Sequence, residues 1–144
     1  MTALTVRRQI PAKAELLFAA WTEPEQLRHW WGPPGVVCHT AEVDLRVGGA
    51  YRLGNRLPNG ETVWIEGVFE HVEPPTKLVY TWSLHSDAPE ERVTVHFRER
   101  GKVTEVIVTH ERILDAAARK SHEEGWIGCL QGLAQHLAEQ CSMG

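Results

Sequence analysis

The chain has 144 residues, of which 42% are hydrophobic and 24% charged, and a net charge of −4. That length suits one domain, residues 1–144, with a core that needs no disulfide or metal staple, and the composition excludes a disordered chain. With 15 basic against 19 acidic residues, and no basic cluster larger than Arg7-Arg8, neither a nucleic acid nor an anionic membrane is an expected partner. Cys38, Cys129 and Cys141 are odd in number and widely spaced, so reduced thiols in a cytoplasmic protein are expected. Residues 1–10 lack a signal-peptide core, and no apolar run approaches the roughly 20 residues that span a bilayer.

The first strand is expected at 5–10, ended by Pro11. Residues 12–21 then turn helical, with Leu17, Phe18 and Trp21 on one face. Thr22 is a candidate cap for a second short helix starting at Pro24, since proline suits a first helical position. Leu27, Trp30 and Trp31 continue the apolar stripe until Gly32-Pro33-Pro34-Gly35 stops it. Six strands follow, at 36–45, 50–57, 62–72, 77–84, 92–98 and 103–111. Each gap carries turn residues, among them Gly48-Gly49, Asn59-Gly60, Pro74-Pro75 and Ser86-Asp87-Ala88-Pro89. The gaps are too short for crossover helices, which makes the sheet an antiparallel meander. A long helix, capped by Asp115, runs to about residue 139 and places His122, Trp126, Cys129, Leu130, Leu133 and Leu137 on one face.

Gly125, Gly128 and Gly132 lie on one flank of that helix. Each costs about 0.8–1 kcal/mol relative to alanine, together about 2–3 kcal/mol. Either a neighbouring backbone comes close there, or the missing side chains leave space. One long amphipathic helix against an antiparallel sheet is an α+β architecture.

Several signals now line up in order along the chain. They are Ile10-Pro11-Ala12, Phe18-Ala19-Ala20-Trp21-Thr22-Glu23-Pro24-Glu25 and Trp30-Trp31-Gly32-Pro33. Further on come Asp44-Leu45-Arg46-Val47-Gly48-Gly49, Gly67, Pro74-Pro75 with Leu78-Val79-Tyr80-Thr81-Trp82, and His122-Glu123-Glu124-Gly125-Trp126. Together they resemble the START-like (SRPBCC) proteins, in the branch named after the activator of the heat-shock chaperone ATPase. The resemblance implies a helix-grip fold, in which a curved antiparallel sheet of about six to seven strands grips the C-terminal helix around a cavity. It does not imply one activity, since members bind lipids and polyketides, cyclise, or assist chaperones.

The residues expected to line the cavity are Phe18, Trp30, Trp31, Trp64, Trp82, His110, His122, Trp126, Leu130 and Leu133, because ligand pockets are mostly apolar and aromatic. Six tryptophans are a large aromatic payload, and the plainer reading of a tryptophan is core packing, or a gate whose indole N–H reaches a partner. His122 is the candidate acid or base; the plainer reading is a core histidine with a satisfied hydrogen bond. His110 shares a strand face with Val106 and Val108 and carries the same two readings. Alternation leaves His96 and Glu66 unassigned. Asp44 and Arg46, two apart on a strand, share a face and can pair. The eight histidines show no His-x-His or His-Glu-x-x-His spacing, so no metal is expected. Cys38 and His39 point to opposite faces, and no Gly-x-Ser-x-Gly elbow exists. No cofactor is called for. The expected activity is binding of a small hydrophobic or aromatic molecule. The alternatives are an enzyme on the same pocket (cyclase, isomerase or hydrolase), or an interaction domain whose partner is a chaperone or a second copy of the chain.

Overall fold

The computed structural model describes residues 2–32, 35–84 and 90–143, with side chains as far as residue 140. The turn expected at Ser86-Asp87-Ala88-Pro89 falls outside these residues, as do Pro33 and Pro34. The elements run β1 (Thr2–Ile10), α1 (Ala14–Thr22), α2 (Pro24–Trp30), β2 (Val37–Val43), β3 (Ala50–Arg56), β4 (Thr62–Glu73), β5 (Lys77–Leu84), β6 (Glu91–Arg100), β7 (Val103–Ile113) and α3 (Ala116–Met143). This is the α+β helix-grip arrangement expected from the sequence. The boundaries differ mainly at β1, which starts three residues earlier, and at α3, which runs about four residues further.

The strands form one antiparallel sheet in the order β1-β7-β6-β5-β4-β3-β2. β2 to β7 are a meander, as short turns require, and β1 closes against β7. In the β3–β4 hairpin the amide of Gly60 donates to the carbonyl of Leu57 at 2.9 Å, and Gly60 takes φ 89°, which glycine adopts without strain. Asp115 caps α3 as expected, its Oδ1 accepting from the amide of Ala118 at 2.9 Å. Thr22 does not cap α2. It is the last residue of α1, and its hydroxyl donates to the carbonyl of Phe18 at 2.8 Å, which leaves Glu23 as the N-cap. Arg46 donates to Asp44 at 2.9 Å in an exposed turn.

Alternation sorts the sheet into two faces. Val93, Val95, Phe97, Val106, Val108 and His110 are buried inside, whereas His96 and Glu66 fall on the outer face, Glu66 beside Arg52. α3 packs over β1, β7 and α2, burying Trp126, Cys129, Leu130, Leu133 and Leu137. Strands β3 to β5 are left less closely covered, and that opening positions the site. Among the described residues no helix is long and apolar enough to cross a membrane.

The helix glycines divide between the two explanations. A Cβ on Gly132 would stand 3.0 Å from the carbonyl oxygen of Trp30, so here backbones approach closely. A Cβ on Gly125 would meet nothing within 4 Å. Gly125→Ala should therefore stabilise the protein by about 1 kcal/mol through helix propensity, whereas Gly132→Ala should lose stability. Urea unfolding of both variants checks this, and a gain from Gly132→Ala would refute the close approach.

Candidate functional site

The cavity lies between the first half of α3 and the inner face of β3, β4 and β5, with a volume of about 310 Å³. The pleat sets its wall. Asn55 from β3, Val63 and Ile65 from β4, and Trp82 and Leu84 from β5 face inward, against His122, Gly125, Trp126 and Cys129 of α3. Trp31 and Val36 close one side. A smaller void of about 20 Å³, behind Trp31 and Trp82, is lined by Trp21, Tyr51 and Tyr80 and holds no more than a water. A wider groove of about 960 Å³ runs outside, between α2 and the second half of α3.

Of the residues expected to line a cavity, Trp31, Trp82, His122 and Trp126 do so. Phe18 packs edge-on against Phe97, and Trp30 packs at a tilt against Trp21 while its indole N–H donates to the carbonyl of Ala20 at 2.8 Å. Leu130 and Leu133 are fully buried core. Trp64 takes the outer face of β4, opposite its neighbours Val63 and Ile65, and the guanidinium of Arg52 lies 3.8 Å above its ring. Its period-2 position relative to Ile65 carried that signal. His110 sits one layer behind the cavity wall.

Two wall residues each bury a polar atom without a partner among the described residues: Nε1 of Trp82 and Oδ1 of Asn55, neither of which is exposed to the cavity. These side chains are 7% and 4% exposed. The indole N–H groups of Trp21, Trp30 and Trp126 are all hydrogen-bonded, which sets Trp82 apart. The amide nitrogen of Asn55 donates to the carbonyls of Leu53 and Val63 at 3.3 and 3.4 Å, so its oxygen is the free end.

Behind the wall, β6, β7 and α3 bring Glu91, His110 and His122 together. Nε2 of His110 lies 2.6 Å from Oε1 of Glu91, and Nε2 of His122 lies 3.1 Å from the same oxygen. The two imidazoles stack at 4.7 Å, and Trp82 stands edge-on to both. The indole N–H of Trp126 donates to Nδ1 of His110 at 2.9 Å. Indole is a donor only, so Nδ1 of neutral His110 must hold the lone pair and Nε2 the proton, which is donated to Glu91. A metal-ligating imidazole ordinarily donates its second N–H outward; His110 cannot do so here, and this donor set is poorly suited to a cation.

Burial pushes the carboxyl of Glu91 up to about 7. Burial, aided by the charge on His122, pushes His110 down to about 3, and burial also lowers His122. The cluster therefore carries one labile proton near neutrality. Cys129 also lines the cavity, but burial pushes its thiol up to about 12, which removes it as a nucleophile. Sequence spacing did not reveal Glu91, which lies 19 and 31 residues from the two histidines and meets them only through strand pairing and the return of α3.

A comparison with curated proteins finds no match. Among solved structures, an AHSA1 protein from Silicibacter pomeroyi is similar at 28% identity and a TM-score of 0.87, covering 96% of this chain and 99% of that one. A protein from Chromobacterium violaceum matches at 25% identity and a TM-score of 0.86, over 92% and 94% of the two chains. DynU16, described as a putative protein in the dynemicin biosynthetic locus, shares the fold at 20% identity and a TM-score of 0.80; the match spans 94% of this chain and 47% of that one. The model of the activator of Hsp90 ATPase homolog 1-like proteins matches residues 11–138, and the chain belongs to that family.

Proposed function

We propose that the chain binds a small, largely apolar molecule with aromatic character in the cavity between α3 and strands β3 to β5. The observation that carries this reading is an apolar, tryptophan-rich cavity of about 310 Å³. That volume reaches the lower end of small-molecule pockets, about 300 Å³. The buried free thiols of Cys38 and Cys129 support a cytoplasmic setting.

The test combines native mass spectrometry of the purified protein with a fluorescence titration against apolar and aromatic compounds. Saturable quenching at micromolar concentration is expected, because Trp31, Trp82 and Trp126 are in the wall. Gly125→Trp, which fills the mouth of the cavity from an open helix position, should abolish it. A response that persists in that variant, or no saturable response at all, would refute the reading. The family description names a chaperone ATPase, so a pull-down from lysate is the natural counter-experiment.

A further inference from the structure

We propose that the guest is an uncharged aromatic compound with a free hydroxyl, which donates its proton to Nδ1 of His122. This rests on the cavity reading above and adds a chemical class to it.

The polarity of the cluster leads to this assignment. Trp126 fixes the proton of His110 on Nε2, where it is donated to Glu91. The same carboxylate oxygen lies 3.1 Å from Nε2 of His122. Above about pH 7, where Glu91 is ionised, a lone pair turned toward that charge would be repelled, so Nε2 of His122 bears the ring proton and Nδ1 the lone pair. Nδ1 has no hydrogen-bond partner among the described residues. His122 lines the cavity, whereas Glu91 does not, so the guest meets an acceptor nitrogen and not the carboxylate.

The ring of Trp82 stands edge-on to His122, 5.0 Å away. A hydroxyl carries the one proton that Nδ1 can accept. An ether has no proton for His122. A carboxylate would bring its charge against a lone pair backed by Glu91. The surrounding Trp31, Trp82 and Trp126 suit an aromatic ring beside that hydroxyl.

The pair 1-naphthol and 1-methoxynaphthalene isolates the hydroxyl at nearly constant shape. Wild-type protein should bind the naphthol at least about tenfold tighter than the ether, the worth of one well-placed hydrogen bond. His122→Phe keeps a ring in place and should lose the preference, so that the ratio of the two affinities falls to about one whatever their common level; circular dichroism verifies that the variant is folded. Equal binding of the two compounds by wild type would overturn the proposal, as would a preference that survives in His122→Phe. If other apolar compounds bind and naphthol does not, the hydroxyl assignment fails while the cavity reading stands. If no compound of any kind binds, the cavity reading itself fails.

Discussion

Gly67→Ala should lower the unfolding free energy by about 3 kcal/mol, near the upper end for forcing atoms into a packed region, and the melting temperature by about 10 °C for a chain of this size. Gly67 sits in β4 where the ladder to β5 is interrupted. The hydroxyl of Thr81 accepts the amide of Val68 at 2.8 Å, and the carbonyl of Thr81 accepts the hydroxyl of Tyr51 at 2.6 Å. A methyl group on Gly67 would collide with that carbonyl, which is backbone and cannot swing away. Relief requires β5 to move, and with it Trp82, the next residue and a wall of the cavity. Ligand affinity should therefore fall along with stability. Calorimetry on Gly67→Ala beside Gly125→Ala checks this, and a loss below about 1 kcal/mol at Gly67 would show that the strands part easily.

The second large effect is a dependence on pH. Glu91, its side chain 16% exposed, is raised by burial from 4.5 to about 7 in the folded protein. The folded state thus holds that proton more tightly than the unfolded chain. The resulting stability is full below about pH 4.5 and is lost as pH rises to about 7. His110, lowered from 6.5 to about 3, acts oppositely, and its contribution is lost as pH falls through that interval. His122 acts in the same sense as His110. The nearby charges form pairs of their own, Arg92 with Glu70 at 2.8 Å and Arg112 with Glu90 at 3.9 Å. Wild type should consequently show a shallow profile where the opposed slopes overlap. In Glu91→Gln only the histidines' slope remains. Its stability minus that of wild type should grow by about 1.4 kcal/mol per pH unit between pH 4.5 and 7, about 3 kcal/mol in all, and stay level outside that window. Chemical unfolding at half-unit intervals measures it. A difference that does not change with pH would mean that Glu91 is hydrated in the folded protein.

Much of the fold was legible because its signals are local. Turn chemistry between the strands dictated the meander, period-2 alternation put Val93, Val95 and Phe97 inside, and one helical stripe from His122 to Leu137 named the gripping face. The site was less legible because it depends on where distant strands leave a gap. The tryptophans all read as pocket or core, and only the pleat separates Trp64 on the outer face from Trp82 on the inner one. Asn55 and Glu91 gave no sequence signal. One is a lone amide in an apolar strand, and the other is an acid at a strand end beside a turn. Both acquire meaning only from what they lack or meet, an absent partner for Asn55 and two imidazoles for Glu91. The glycines of α3 posed a question that propensity alone leaves open, and the neighbour at Gly132 and the empty space at Gly125 answer it differently at each position.

The grouping of indoles has an optical consequence. Trp21 lies within 6.2 Å, ring to ring, of Trp30, Trp31 and Trp126, while Trp82 is flanked by two imidazoles and Trp64 stands apart on the outer face. Excitation migrates readily between rings at such spacing, so the inner group emits collectively and a disturbance at one ring dims its neighbours. Trp64 is the outlying emitter, and replacing it with phenylalanine would leave a spectrum belonging to the cavity side of the sheet. Imidazolium quenches indole more strongly than neutral imidazole, so the brightness of Trp82 also follows the protonation of the histidines beside it.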